Sequence, residues 1–304
     1  MDETLTPLAG GWSGETFVSQ VGAERSVVRI YARPSHRGAR AHEVDAALLR
    51  LVRGLVPVPE VLEARRADPS ADRPALLVTS YLPGEPADRL LPTLGDSDRA
   101  ALGARLGHLL ADLGGMPMLS EGPFVDGDLR IGRFAGDDGA PVDGLPGFVA
   151  EHESGLVHLT PGELDGLREV AVDAQALLDT VTRRCLVHGD LNPKNLLVDP
   201  ETLEVTGLVD WEYAHAGHPF TDLGNLLRFE RDAAFAGAVL ETYGERRGVD
   251  PDRALALARA ADLIALVDLA CRRHDNPVAA RADRLLRAIA RTGDPGAEPP
   301  VGLG

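Results

Sequence analysis

Between Leu186 and Asp210 the chain reads LVHGDLNPKNLLVDPETLEVTGLVD. Asp190 and Asn195 stand five residues apart, and Asp210 closes the stretch. Phosphoryl transfer needs this set of groups: a carboxylate to orient the attacking hydroxyl and take its proton, and hard oxygen ligands to hold Mg²⁺ across the phosphates. Residues 196–199 and 204–209, LLVD and EVTGLV, read as a hairpin whose turn is Pro200 to Leu203. A hairpin there folds the chain back and returns Asp210 to within reach of Asn195. Nearby residues carry weaker signals. His215 and His218, with Glu212, hint at a metal site but lack a third ligand in register. Cys185 has no basic neighbour placed to lower its pKa and reads as core. Lys194, the only lysine of the chain, either touches a phosphate or faces solvent.

Other elements must hold these residues in place. The first 80 residues read as strands around one helix: Thr4 to Ala9, Glu15 to Gln20, Ser26 to Tyr31, Val58 to Ala64 and Ala75 to Thr79. Val44, Leu48, Leu51 and Leu55 recur at helical spacing between them, and Pro57 and Pro59 end the run. SYLPGEP, residues 80–86, is a Pro/Gly-rich connector and the best boundary, dividing a β lobe (1–80) from a helical lobe (81–292). In the second lobe Leu102, Leu106, Leu109 and Leu113 form one stripe, and Leu164, Leu167, Ala171, Ala174, Leu178 and Val181 another. Thr160-Pro161-Gly162-Glu163 heads the latter with a capping box and proline at the first helical position. Asp250-Pro251 opens a helix that is apolar nearly all round and should be buried. Residues 116–159 resist assignment, and the tail 293–304 reads as disordered.

Composition narrows the function. With 31 basic and 47 acidic residues the net charge is −16, which disfavours phosphate backbones and anionic membranes as partners. No apolar run approaches a membrane span, and the start MDETLTPLAGG lacks the basic and apolar regions of a signal peptide. Two cysteines, Cys185 and Cys271, make neither a disulfide framework nor a four-ligand zinc set. A reduced, cytoplasmic compartment is the expectation.

His188-Gly189-Asp190, then Asn195, then Val209-Asp210-Trp211-Glu212 resemble the catalytic signature of the aminoglycoside phosphotransferase-like kinases. The protein-kinase template writes the same parts as H-R-D-x-x-x-x-N and D-F-G. The resemblance runs over roughly residues 5–290 and implies an α+β, bilobal, protein-kinase-like fold. It implies Asp190 as the base, His188 as an orienting residue beneath the loop, and Asn195 and Asp210 as Mg²⁺ ligands. Asp222, in PFTDLG, matches an aspartate that braces the catalytic loop, though a helix N-terminal acid is its plainer reading. Gly11, Ser13, Gly14 and Thr16 fall where the family keeps its nucleotide-covering turn. Arg29 would be the phosphate clamp on the third strand, with Glu43 as its partner. Thr79, Ser80 and Tyr81 would form the hinge beside the purine.

The donor implied is ATP or GTP, and the acceptor is a small-molecule hydroxyl. For an aminoglycoside, a polycation, Glu230, Asp232, Asp262 and Asp268 offer counter-charges; the acidity equally reads as solubility charge. Choline, homoserine and sugar kinases share the fold and stay open as alternatives. A non-catalytic pseudokinase is disfavoured because Asp190, Asn195 and Asp210 are all present. A protein kinase is disfavoured because residues 213–222 are too short for an activation loop.

Overall fold

The computed structural model describes residues 3–8, 15–32, 37–134 and 143–298. Gly11, Ser13 and Gly14 lie outside them, so the nucleotide-covering turn is described only at its second flank, where Thr16 sits on β2.

The strands β1 (Glu3–Pro7), β2 (Glu15–Val21), β3 (Glu24–Tyr31), β4 (Val61–Arg65) and β5 (Ala75–Ser80) form one antiparallel sheet in the order β1-β2-β3-β5-β4. Along β5 the residues alternate, with Ala75, Leu77 and Thr79 buried, as a sheet covered on one face requires. Helix α1 (Ala41–Val52) supplies the cover and buries Val44, Leu48 and Val52. Leu51 and Leu55, counted on that stripe from sequence, are partly exposed. The helix stops at Val52, Gly54 turns the chain at φ +86°, and Val56 enters the core instead.

The connector does more than separate the lobes. Glu85–Pro86 is a short strand, β6, paired with β10 (Leu196–Val198), which pairs in turn with β11 (Val205–Leu208). The predicted hairpin therefore exists, and the connector is its third strand. Gly84, at φ +126°, brings its backbone so close that a Cβ would sit 2.5 Å from Thr206 Oγ1. Only glycine fits there.

The second lobe contains α2 (Ala87–Leu90), α3 (Asp96–Leu113), α4 (Gly144–His152), α5 (Pro161–Leu178), α6 (Thr221–Leu227), α7 (Ala233–Arg247), α8 (Pro251–Cys271) and α9 (Pro277–Thr292). A small antiparallel sheet, β7 (Pro117–Met118), β9 (Arg184–Val187), β12 (His215–Gly217) and β8 (Gly122–Pro123), lies among them. The capping box of α5 forms on both sides: Thr160 Oγ1 accepts from Glu163 N, and Glu163 Oε2 accepts from Thr160 N at 2.8 Å. Helix α8 is buried along most of its apolar length, with Ala258, Leu263 and Val267 each almost wholly enclosed, while Ile264 and Asp268 reach the surface. The tail departs from the expectation of disorder over 293–298: Ala297 is buried, and Arg231 donates to Gly296 O at 3.1 Å. A tail that buries an apolar side chain and offers a carbonyl to a guanidinium has a reason to pack. Among the described residues no helix is long and apolar enough to cross a membrane.

Candidate active site

Strand β9 delivers the chain to His188 and Asp190, and β10 and β11 return it to Asp210. The loop between is held from below. Asp222, in the first turn of α6, accepts the backbone N–H groups of His188 at 2.8 Å and Gly189 at 2.9 Å. The carboxylate is buried, and burial pushes it up to about 6 against the pull of those two N–H bonds. Gly189 has φ +83°, and a Cβ would meet Tyr213 O at 2.4 Å, which explains glycine where protein kinases carry arginine.

His188 is enclosed completely, and burial lowers its pKa to about 3, so the ring is neutral. Its Nε2 lies 3.0 Å from Val209 O, and a carbonyl can only accept, so Nε2 carries the proton. Nδ1 then accepts from Asp190 N at 3.3 Å. One ring thus joins the backbone of the proposed base to the residue before Asp210. The neutral imidazole is hydrogen-bonded at both nitrogens, which fixes the spacing of the two backbone segments.

Asp190 accepts from Asn192 Nδ2 at 2.7 Å on one oxygen and from Asn195 Nδ2 at 2.9 Å on the other. Asn192 was not picked out from sequence; an amide two residues after a candidate base was the available signal. Lys194 Nζ is 3.8 Å from Asp190 Oδ2 with its side chain more than half exposed. Cys185 is buried and pushed up to about 12, in keeping with a core thiol. His215 and His218 make backbone contacts, to Tyr213 O at 2.9 Å and Phe220 N at 3.4 Å.

Asp210 has φ +67°, a left-handed conformation uncommon outside glycine but open to aspartate. Burial pushes its carboxyl up to about 6; Glu212 and Asp190 add to the shift, and Arg29 opposes it. Three carboxylates crowd one small region. Asn195 spends its amide N–H on Asp190, which leaves an oxygen as its remaining ligating atom. Oxygen donors with excess negative charge are the chemistry that suits Mg²⁺.

The partner of Arg29 differs from the expectation. Glu43 pairs with Arg66 at 2.5 Å instead. Arg29 bonds Glu212 through Nη2, while Nη1 lies 3.6 Å from Asp210 and 3.9 Å from Asp45. Glu43 and Asp45 are two positions apart on α1, and two residues turn a helix by about 200°. Periodicity cannot say which of them faces the strand. Burial opposes the charge of Arg29, but Tyr31, Asp45, Asp210 and Glu212 outweigh it and hold the guanidinium firmly protonated.

At the predicted hinge, Ser80 N donates to Glu60 O at 2.8 Å and Tyr81 N to Arg25 O at 3.4 Å. Those donors serve the sheet here. Of the acidic candidates for an acceptor, Asp262 is excluded as a surface counter-charge. It is buried on α8 and takes a fork from Arg228, Nη2 to Oδ1 at 2.6 Å and Nε to Oδ2 at 2.9 Å. Asp232 caps α7 by accepting from Phe235 N at 3.0 Å. Asp268 is half exposed and pairs with Arg272 one turn on, and Glu230 is partly buried, with burial raising its pKa.

Residues 4–257 match the family model described as the phosphotransferase enzyme family. The chain belongs to that family. Among curated relatives it is 33% identical over 209 residues to streptomycin 3''-kinase of Streptomyces griseus, covering 65% of this chain and 69% of that one. It is 24% identical over 272 residues to acyl-CoA dehydrogenase family member 11 of Mus musculus, covering 82% of this chain. The chain spans only 33% of the length of that relative. Among solved structures, aminoglycoside phosphotransferase APH(4)-Ia in apo form superposes with a TM-score of 0.66 at 20% identity, covering 95% of this chain and 94% of that one. The GDP complex of wild-type aminoglycoside 2'-phosphotransferase-IIIa gives 0.68 at 18% identity, covering 95% and 93%. The chain therefore has the protein-kinase-like α+β fold expected from its motifs.

Proposed function

We propose that this phosphotransferase is a Mg²⁺-dependent kinase that moves the γ-phosphoryl of ATP or GTP to a hydroxyl of a small molecule. The observation that carries the reading is the convergence of Asp190, Asn195 and Asp210 around one loop braced by Asp222. In it Asp190 orients the acceptor hydroxyl and takes its proton at a carboxylate oxygen. Asn192 and Asn195 hold that carboxylate to one rotamer, so the reactive geometry is formed before substrate arrives. Asn195 and Asp210 would hold Mg²⁺, which when bound neutralises the phosphate charge that grows in transfer. Arg29 adds a fixed positive charge from the β lobe, and the turn around Gly11, Ser13, Gly14 and Thr16 is assigned to the phosphates. Residues 80–86 are assigned as the boundary between nucleotide and acceptor lobes, with Thr79, Ser80 and Tyr81 beside the base.

For the acceptor, the relatives named as aminoglycoside kinases favour an aminoglycoside, and a role in antibiotic resistance would follow. Asp268 and Glu230 remain as its candidate counter-charges. Choline-, homoserine- or sugar-type hydroxyls are the alternatives, and a cytoplasmic location with no nucleic acid or membrane partner fits the charge. The test is nucleotide consumption, followed as ADP or GDP release, against an aminoglycoside and hydroxylated-metabolite panel with and without Mg²⁺. Mg²⁺-dependent, acceptor-stimulated release is expected. Nucleotide binding with no turnover on any acceptor, under conditions where a known kinase works, supports the pseudokinase reading instead.

A further inference from the structure

We infer that Arg37 is a positioning residue that ties the turn carrying Asp210 and Glu212 to helix α1, and that by occupying Asp45 it leaves Arg29 facing the phosphate side of the site. Arg37 lies in the connection between β3 and α1, far in sequence from the catalytic loop. Its guanidinium is almost fully buried and pairs through Nη1 with Asp45 Oδ1. Nη2 donates to two carbonyls across the lobes, Trp211 O at 3.0 Å and Ala214 O at 2.6 Å. Those carbonyls bracket the single turn Trp211–Tyr213 that begins at Asp210. A charged donor gripping both ends of a short turn fixes its placement against the β lobe far better than a neutral contact.

Asp45 is the anchor of this tie. It is buried on α1, its Oδ2 accepts from Tyr31 Oη at 2.7 Å, and Arg29 Nη1 stands 3.9 Å away. Two guanidinium groups thus flank one carboxylate. Arg37 takes it at bonding distance, and Arg29 makes its close pair with Glu212 on the turn. The fork geometry matters, because one planar group meets a carboxylate and two carbonyls at once, which an ammonium does not reproduce. The placement of the turn thereby becomes a property of both lobes. The inference rests on the kinase reading only in what the turn is for; the tie itself is independent of it.

The test uses the full chain in two arms. In the first, hydrogen exchange is measured without nucleotide or metal on wild type, Arg37→Gln, Arg37→Lys and Asp45→Asn. Exchange across 210–214 should accelerate about tenfold or more in Arg37→Gln, as expected for losing charged hydrogen bonds, while α5 and α8 keep wild-type protection. Arg37→Lys should fall between. In the second arm, the Mg²⁺ concentration for half-maximal nucleotide binding should rise in the same order. Unchanged exchange at 210–214 in Arg37→Gln overturns the tie. So does an equal loss of protection over the whole chain in both Arg37→Lys and Asp45→Asn, since that marks a merely structural residue. Should Arg37→Gln fail to fold, Arg37→Lys and Asp45→Asn decide by the same two criteria. A wild type with no Mg²⁺-dependent nucleotide binding overturns the kinase reading and leaves the first arm to judge the tie.

Discussion

Asp190→Asn should keep nucleotide binding and lose turnover by about 10²–10⁴-fold, the range for a general acid–base role. Isothermal titration beside steady-state kinetics checks it, and a variant with half the wild-type kcat removes Asp190 from the proposed mechanism. Asp210 offers a second, opposed pair of outcomes. Its carboxyl is raised to about 6 from an unfolded value near 3.8, so ionising it costs more in the fold than in the open chain. That cost grows as pH rises from about 4 to 6 and is fully present above. Asp210→Asn should therefore stabilise the ligand-free protein at pH 7 by about 1 kcal/mol, a third of the side chain being open to screening. The gain should vanish near pH 4. The same substitution should remove Mg²⁺-enhanced nucleotide affinity. Urea melts at the two pH values and nucleotide titrations with and without Mg²⁺ give both readouts; an enhancement that survives places the metal elsewhere.

At the scale of single elements, the choice between Glu43 and Glu212 as partner of Arg29 is directly measurable. Glu43→Gln should leave nucleotide kinetics close to wild type, since it loses only an exposed partner, Arg66. Arg29→Ala and Glu212→Gln should each raise KM for nucleotide, and the double-mutant cycle should show coupling of about 0.5–3 kcal/mol. Additive effects would mean the pair does not persist when the site works. Helix α5 tests a different kind of local rule. Glu163 closes the capping box and also meets Arg287 and Arg291 at 3.1 and 2.7 Å. Burial raises its pKa, yet Thr160 N–H and Arg287 more than offset that and hold it at about 2. A depressed carboxylate contributes stability that is complete above its unfolded value, near 4.5, and lost as pH falls toward 2. Thr160→Ala should cost about 1 kcal/mol at neutral pH. Glu163→Gln should cost more there, with the difference from wild type shrinking in acid melts.

For the whole molecule, the charge of −16 becomes a test of the acceptor. A polycationic acceptor approaching a protein of this charge is drawn by a field that salt screens over about 8–10 Å. Its KM should rise several-fold between low and physiological ionic strength, whereas a neutral sugar hydroxyl should show almost no change. Initial rates over a salt series on whichever acceptor the panel returns will separate the two. Asp262, spent on Arg228, should not enter this effect, and Asp268→Asn should weaken it.

Local signals were enough for much of this protein. The capping box at Thr160, the five strands around one helix and the hairpin after Asn195 all depend on neighbours in sequence, so they could be read there. The order H-G-D, N, D-W-E was likewise legible, because a catalytic loop and its hairpin are one continuous stretch. What could not be read are the contacts that cross the chain. Arg29 to Glu212 spans 183 residues, and Arg37 to Trp211 spans 174. A helix face offers both Glu43 and Asp45 to a strand, and an acidic surface offers Asp262 beside Asp268 with no sign that one is buried. Which carboxylate meets which arginine is settled by how two lobes pack, since burial makes unpaired charge costly and only the folded chain decides what is buried.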